Sequence, residues 1–152
     1  MTRSRTKRAK GPKYLPGDPG FRGAKRDEIA SMIRVDQAGE FGAQRIYQGQ
    51  IDVLGKGPNG DVLRHMQEQE QQHLDTFNRI LTERRVRPTI LAPFWHAAGY
   101  ALGYGTAILG EKAAMACTVA VEETIDEHYR SQHAALPEEE AELKATIERF
   151  RQ

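Results

Sequence analysis

The chain has 152 residues, 39% of them hydrophobic and 28% charged, with one cysteine and a net charge of +1. That length and balance fit one soluble domain with a core of its own. They exclude a disulfide framework, the lone cysteine suits a reducing compartment, and no apolar h-region follows a basic n-region to signal secretion.

The even charge balance conceals an asymmetry. Residues 1–26 hold nine Lys/Arg against Asp18 alone, a net of +8, and the remainder is −7. Residues 1–25, with Pro12, Pro16 and Pro19 and almost no apolar periodicity, read as a disordered basic arm. A solvated tail and a tail drawn to an anionic membrane fit it equally, and its prolines make a poor amphipathic presequence. Residues 26–152 read as one helical domain.

A first helix is expected from about Arg26 to Leu54, capped by Asp27 and stopped by Gly55-Lys56-Gly57-Pro58. Its stripe Ile29, Ile33, Asp36, Glu40, Ala43, Tyr47, Leu54 is apolar except for two acids. Around Glu40 the residues are small (Ala38, Gly39, Gly42, Ala43), which lets another helix or a bound ion come close. A second helix runs from Asn59 or Asp61 to about Arg85. Its stripe Leu63, Met66, Glu70, His73, Phe77, Leu81 has a Glu-x-x-His in the middle, with both side chains on one face. A carboxylate on an apolar face costs several kcal/mol unless a positive group meets it, and a metal ion is the usual answer.

Residues 90–109, ILAPFWHAAGYALGYGTAIL, are the most apolar stretch. Pro93, His96 and the glycines break it, so a helix lying in a membrane interface or lining an apolar pocket is expected, not a spanning one. A third long helix covers Glu111 to about Ala134, its apolar AMACTVAV leading into Glu122-Glu123 and placing Glu122 on the buried face. Cys117 reads as a small hydrophobe there, not a nucleophile. Pro137 opens a fourth helix with acids at its positive end and the stripe Leu143, Ile147, Phe150. No strand alternation, phosphate loop or nucleophile elbow is present.

Three helices each bring an ionisable group onto an apolar face: Glu40, Glu70 with His73, and Glu122. In ferritin-like carboxylate proteins two helices give a lone Glu each and two give a Glu-x-x-His each. Carboxylates with imidazole suit iron or manganese. The segments DQAGEFGAQRIYQGQIDVLG, EQEQQHL, RVRPTILAPFW and AMACTVAVEE, in this order, resemble the demethoxyubiquinone hydroxylase family of ubiquinone biosynthesis over about residues 33–152.

The resemblance implies an all-α, ferritin-like four-helix bundle with an extra apolar interfacial segment and a non-haem di-iron site. It implies O2-dependent hydroxylation of the ring of a polyprenylated demethoxyubiquinol. Glu40, Glu70, His73 and Glu122 match the iron ligands, Glu122 in a bridging role, and no catalytic group beyond them is expected. His128, Tyr129, Trp95 and Tyr100 are candidates for contact with the quinone. The implied setting is peripheral to a membrane: the cytoplasmic face of a bacterial inner membrane, or the matrix side of the mitochondrial inner membrane in a eukaryote. A homo-oligomer and contact with other ubiquinone-biosynthesis proteins are compatible with it, and no nucleic-acid partner is expected.

The resemblance also implies a second Glu-x-x-His on the fourth helix. Glu70/His73 is the only such pair in the sequence, and the stripe through Phe150 would next reach positions beyond Gln152. The expectation is therefore a C-terminally shortened family member whose fourth helix is incomplete, with weakened or single-iron binding and little activity alone. The alternative from another class is a non-catalytic bundle that binds quinone or membrane and has lost the second iron site.

Overall fold

Ala24–Leu54 forms a 31-residue helix, α1, against which the rest of the chain is assembled in a computed structural model that describes residues 24–152. The arm expected over residues 1–25 lies outside the described residues, apart from the backbone of Ala24 and Lys25. That backbone is already helical, so Asp27 sits in the first turn of α1 and not at its cap. On α1, Ile29, Ile33, Asp36, Glu40, Ala43, Tyr47 and Gln50 are buried in alternating steps of four and three, with Ala30, Ile46 and Gly49 buried beside them. This spacing keeps one face inward over the whole helix.

The other helices are α2 (Gly60–Glu83), α3 (Ala92–Ile108), α4 (Glu111–Ala135) and α5 (Ala141–Phe150). No strand occurs among the described residues, and the architecture is the all-α bundle expected. α1, α2, α4 and α5 surround the core, and α3 lies outside against α1 and α4. The apolar interior divides in two. One part joins Ile29, Ile33, Phe77, Leu81, Tyr129, Leu143 and Ile147; the other joins Ala43, Tyr47 and Leu63. The acidic residues of α1 and α2 occupy the layer between them, since Glu40 lies between Ile33 and Ala43 and Glu70 between Leu63 and Phe77.

The fourth bundle helix begins later than expected. Glu138–Glu140 forms a 3-10 turn ahead of α5. Glu140 is buried there and receives two hydrogen bonds from Arg84 of the α2 end, at 2.8 and 2.6 Å. It thus serves as an ion-pair partner and not as a helix-dipole charge. Replacing Arg84 by Ala leaves the Glu140 carboxylate buried without its partner, and a loss of about 3 kcal/mol in unfolding free energy is expected in urea titration.

Candidate metal centre

The i, i+3 spacing on α2 and the inward stripe of α1 bring three ionisable side chains to one point. Glu40 and Glu70 are 1% and 5% exposed, and His73 closes the group from the side of α2. His73 Nδ1 lies 3.6 Å from Glu40 Oε2 and 3.8 Å from Glu70 Oε2. These separations exceed a hydrogen bond, and both Oε2 atoms are buried with no hydrogen-bond partner. One ligand atom from each residue falls within 4.8 Å of the other two. Two orphaned carboxylate oxygens and an imidazole nitrogen facing one another fit a cation better than any arrangement of protons, and the oxygen and nitrogen donors suit iron.

Burial pushes the Glu70 carboxyl up to about 7, with Glu40 beside it adding to the shift. For His73, burial works against the charged ring, but the Glu40 and Glu70 carboxylates facing it outweigh burial and raise its pKa to about 9. The metal-free cluster therefore retains a proton at neutral pH. Both pKa values lie above their ordinary values of 4.5 and 6.5. Each group thus binds its proton more tightly when folded, and its contribution to stability is lost as pH rises through the folded value. Between pH 5 and 9 the metal-free chain should lose about 2 kcal/mol more than its Glu70→Gln variant, measured by urea unfolding.

Glu122 of α4 is half-buried and stands outside the three-residue group, within electrostatic reach of Glu70 and His73. Burial raises its pKa. Its Oε1 accepts a hydrogen bond from the Tyr47 hydroxyl, and Tyr129 donates likewise to Glu40 Oε1. Burial holds both phenols well above their ordinary pKa, so they act as donors. Phe150 of α5 stacks on the His73 ring at 3.9 Å between centroids. In the sequence, Tyr47 and Phe150 stand only as members of apolar helical stripes. The repeated Glu-x6-Tyr spacing, at 40/47 and 122/129, is the signal that would have singled out the tyrosines.

An almost wholly apolar groove of about 920 Å³ runs between α1, α3 and α4, lined by Gly39 and Val121, the sequence neighbours of Glu40 and Glu122, and not by those acids themselves. Its walls include Gly39, Gly42 and Ile46 of α1, Trp95 and Leu102 of α3, and Cys117, Ala120 and Val121 of α4. Of the four residues expected to meet a quinone, Trp95 lines this groove. Tyr100 instead donates to Asp52 Oδ2 at 2.7 Å, with the Arg45 guanidinium over its ring. Tyr129 is buried under the centre, its hydroxyl spent on Glu40. His128 faces the buried Asp36, its Nε2 3.4 Å from Oδ1, a contact that raises the imidazole pKa. Neither His128 nor Tyr129 is part of the groove wall.

The outer side of α3 and its flanks leave Ile90, Leu91, Phe94, Ile108 and Leu109 exposed, Ile90 by 93%. No helix among the described residues is long and apolar enough to cross a membrane.

Residues 27–152 match the family model described as ubiquinone biosynthesis protein COQ7. A Rhodospirillum rubrum protein named 3-demethoxyubiquinol 3-hydroxylase is 58% identical over 138 residues, which are 90% of this chain and 63% of that one. The Bos taurus protein named NADPH-dependent 3-demethoxyubiquinone 3-hydroxylase, mitochondrial, is 52% identical over 130 residues, covering 83% of this chain and 60% of its own length. The Saccharomyces cerevisiae 5-demethoxyubiquinone hydroxylase, mitochondrial, is 41% identical over 157 residues, 92% of this chain and 67% of that one. The chain spans about three fifths of the length of the first two relatives.

Proposed function

We propose a reaction from one premise: the chain belongs to the family of the ubiquinone biosynthesis protein COQ7. The reaction is O2-dependent hydroxylation of the ring of a polyprenylated demethoxyubiquinol. The observation that carries this reading is the buried Glu40–Glu70–His73 group, with two unpartnered carboxylate oxygens, in a bundle that also holds a large apolar groove. Glu40, Glu70 and His73 would hold an iron, with Glu122 as a further carboxylate ligand of the centre. Bound iron supplies the reductive activation of O2 that attack on a closed-shell ring requires.

The chain's own residues bind, orient and dehydrate. His73 Nδ1 must give up its proton before it can ligate, so iron uptake releases protons at neutral pH. The groove takes the apolar part of the quinol along Trp95, Leu102 and Val121, and its walls keep water from the reacting ring. The exposed apolar flank of α3 rests in the interface of the membrane that holds the polyprenyl substrate, which makes the protein peripheral. Matched relatives named as hydroxylases speak for an enzyme over the non-catalytic bundle.

The reading is tested by supplying the iron-loaded chain with reductant, demethoxyubiquinol and labelled O2. One labelled oxygen on the product ring is expected, and reductant-dependent O2 consumption with unchanged quinol would contradict it. A methyl group built on Gly39 meets nothing within 4 Å, so a larger side chain there projects into the groove. Gly39→Leu is expected to raise the KM for quinol about tenfold or more with Fe(II) affinity unchanged, read by steady-state kinetics beside metal titration.

A further inference from the structure

The spacing Glu-x6-Tyr occurs on α1 as Glu40/Tyr47 and on α4 as Glu122/Tyr129. Seven residues make about two helical turns, so on each helix the carboxylate and the phenol share a face. The two helices pair in opposite directions, with Tyr47 against Glu122 and Glu40 against Tyr129. Each tyrosine therefore crosses to the glutamate of the other helix. Tyr47 is fully buried and Tyr129 is 2% exposed.

A buried phenol needs an acceptor, but a helix offers many carbonyls for that purpose. Here both phenols choose carboxylates, and both engage Oε1 alone. At Glu40 the result is visible: Oε1 is occupied, and Oε2 is the unpartnered buried oxygen 3.6 Å from His73 Nδ1. A carboxylate with one oxygen held cannot turn to offer both to an ion.

We infer that Tyr47 and Tyr129 are a reciprocal pair of positioning residues, each holding one oxygen of the opposite glutamate so that the other oxygen is presented to the metal. This rests on the metal-centre reading above. The tyrosines act through Glu122 and Glu40 and are assigned no contact with substrate. Their hydrogen bonds also tie α1 to α4 across the layer where the apolar core is interrupted.

The test uses the full chain, Fe(II) titration without oxygen, and the visible spectrum of the Co(II)-loaded protein. Tyr47→Phe and Tyr129→Phe keep the rings and remove only the hydroxyls. Each is expected to weaken Fe(II) binding about tenfold and to shift the Co(II) bands, and the double variant should weaken binding about a hundredfold. Leu63→Ala loosens packing beside Tyr47 without touching a hydroxyl, so it should lower the melting temperature and leave the Co(II) bands in place. Phenylalanine variants with the parent affinity and spectrum would overturn the clamp while leaving the metal centre standing. A parent chain that takes up neither ion would overturn both. If one variant does not fold, the other arm reads the same effect at its own glutamate.

Discussion

Glu70→Ala is expected to lower Fe(II) affinity by more than about a hundredfold and to remove quinol hydroxylation. Loss of a hydrogen bond to a ligand alone costs about 10- to 100-fold in affinity, and loss of the ligand itself costs more. Glu70 supplies one of three donor atoms in a group where, among the described residues, no fourth acidic or imidazole side chain stands equally close. Glu123, adjacent to Glu122, is exposed and cannot take its place.

The stability effect should have the opposite sign without metal. In the metal-free protein Glu70 is buried beside Glu40, with one oxygen unpartnered. Glu70→Gln keeps the shape and removes the charge, so at pH 8 it should stabilise the metal-free chain by about 1 kcal/mol. In iron-loaded protein the same change should destabilise, because ligand binding energy is lost from the folded state. Denaturant titrations with and without Fe(II) read both signs. Equal effects in the two states would mean that Glu70 has no part in holding the ion.

Gly103→Ala is expected to destabilise the fold by about 3 kcal/mol or more. α3 approaches α1 so closely that a methyl group on Gly103 would stand 1.9 Å from Ile46 O, a backbone atom that no rotamer change can move. A methyl on Gly99 would meet Gly42 O at 2.8 Å. The helices must separate to admit either, and overpacking of this kind costs about 1–3 kcal/mol even where side chains can yield. Gly105, two residues on, is the control. A methyl there meets nothing within 4 Å, so Gly105→Ala should add about 0.5–1 kcal/mol through helix propensity alone. Thermal melts of the pair separate the effect of contact from that of composition. Because α3 forms one wall of the groove, Gly103→Ala should also alter quinol affinity.

The parts of the site that were legible in the sequence are those set by spacing within one helix. Glu70 and His73 share a face because they are three apart, and Glu40 falls on an apolar stripe counted in steps of three and four. Two further features could not be read this way. Tyr47 meets Glu122 across 75 positions of sequence, and that contact depends on the register between α1 and α4. Phe150 reaches His73 from α5, whose start is tied to the end of α2 by the Arg84–Glu140 pair, so that contact depends on how two helices pack. The apolar run at 90–109 announced a helix, but its amino acids did not say which side would pack. The glycines decided it, since Gly99 and Gly103 put their faces on α1 and left Ile90, Leu91 and Ile108 outside. Tyr100 and Tyr129 show the reverse case. Their residue type suggested ligand contact, yet neighbouring acids claimed both hydroxyls.

The most direct test of the metal centre is a crystal of the chain loaded with Fe(II) under anaerobic conditions, with anomalous scattering recorded at the iron edge. A peak at bonding distance from Glu40 Oε2, Glu70 Oε2 and His73 Nδ1 is the predicted result. Iron found only elsewhere, with these three atoms still turned to one another and unligated, would contradict it.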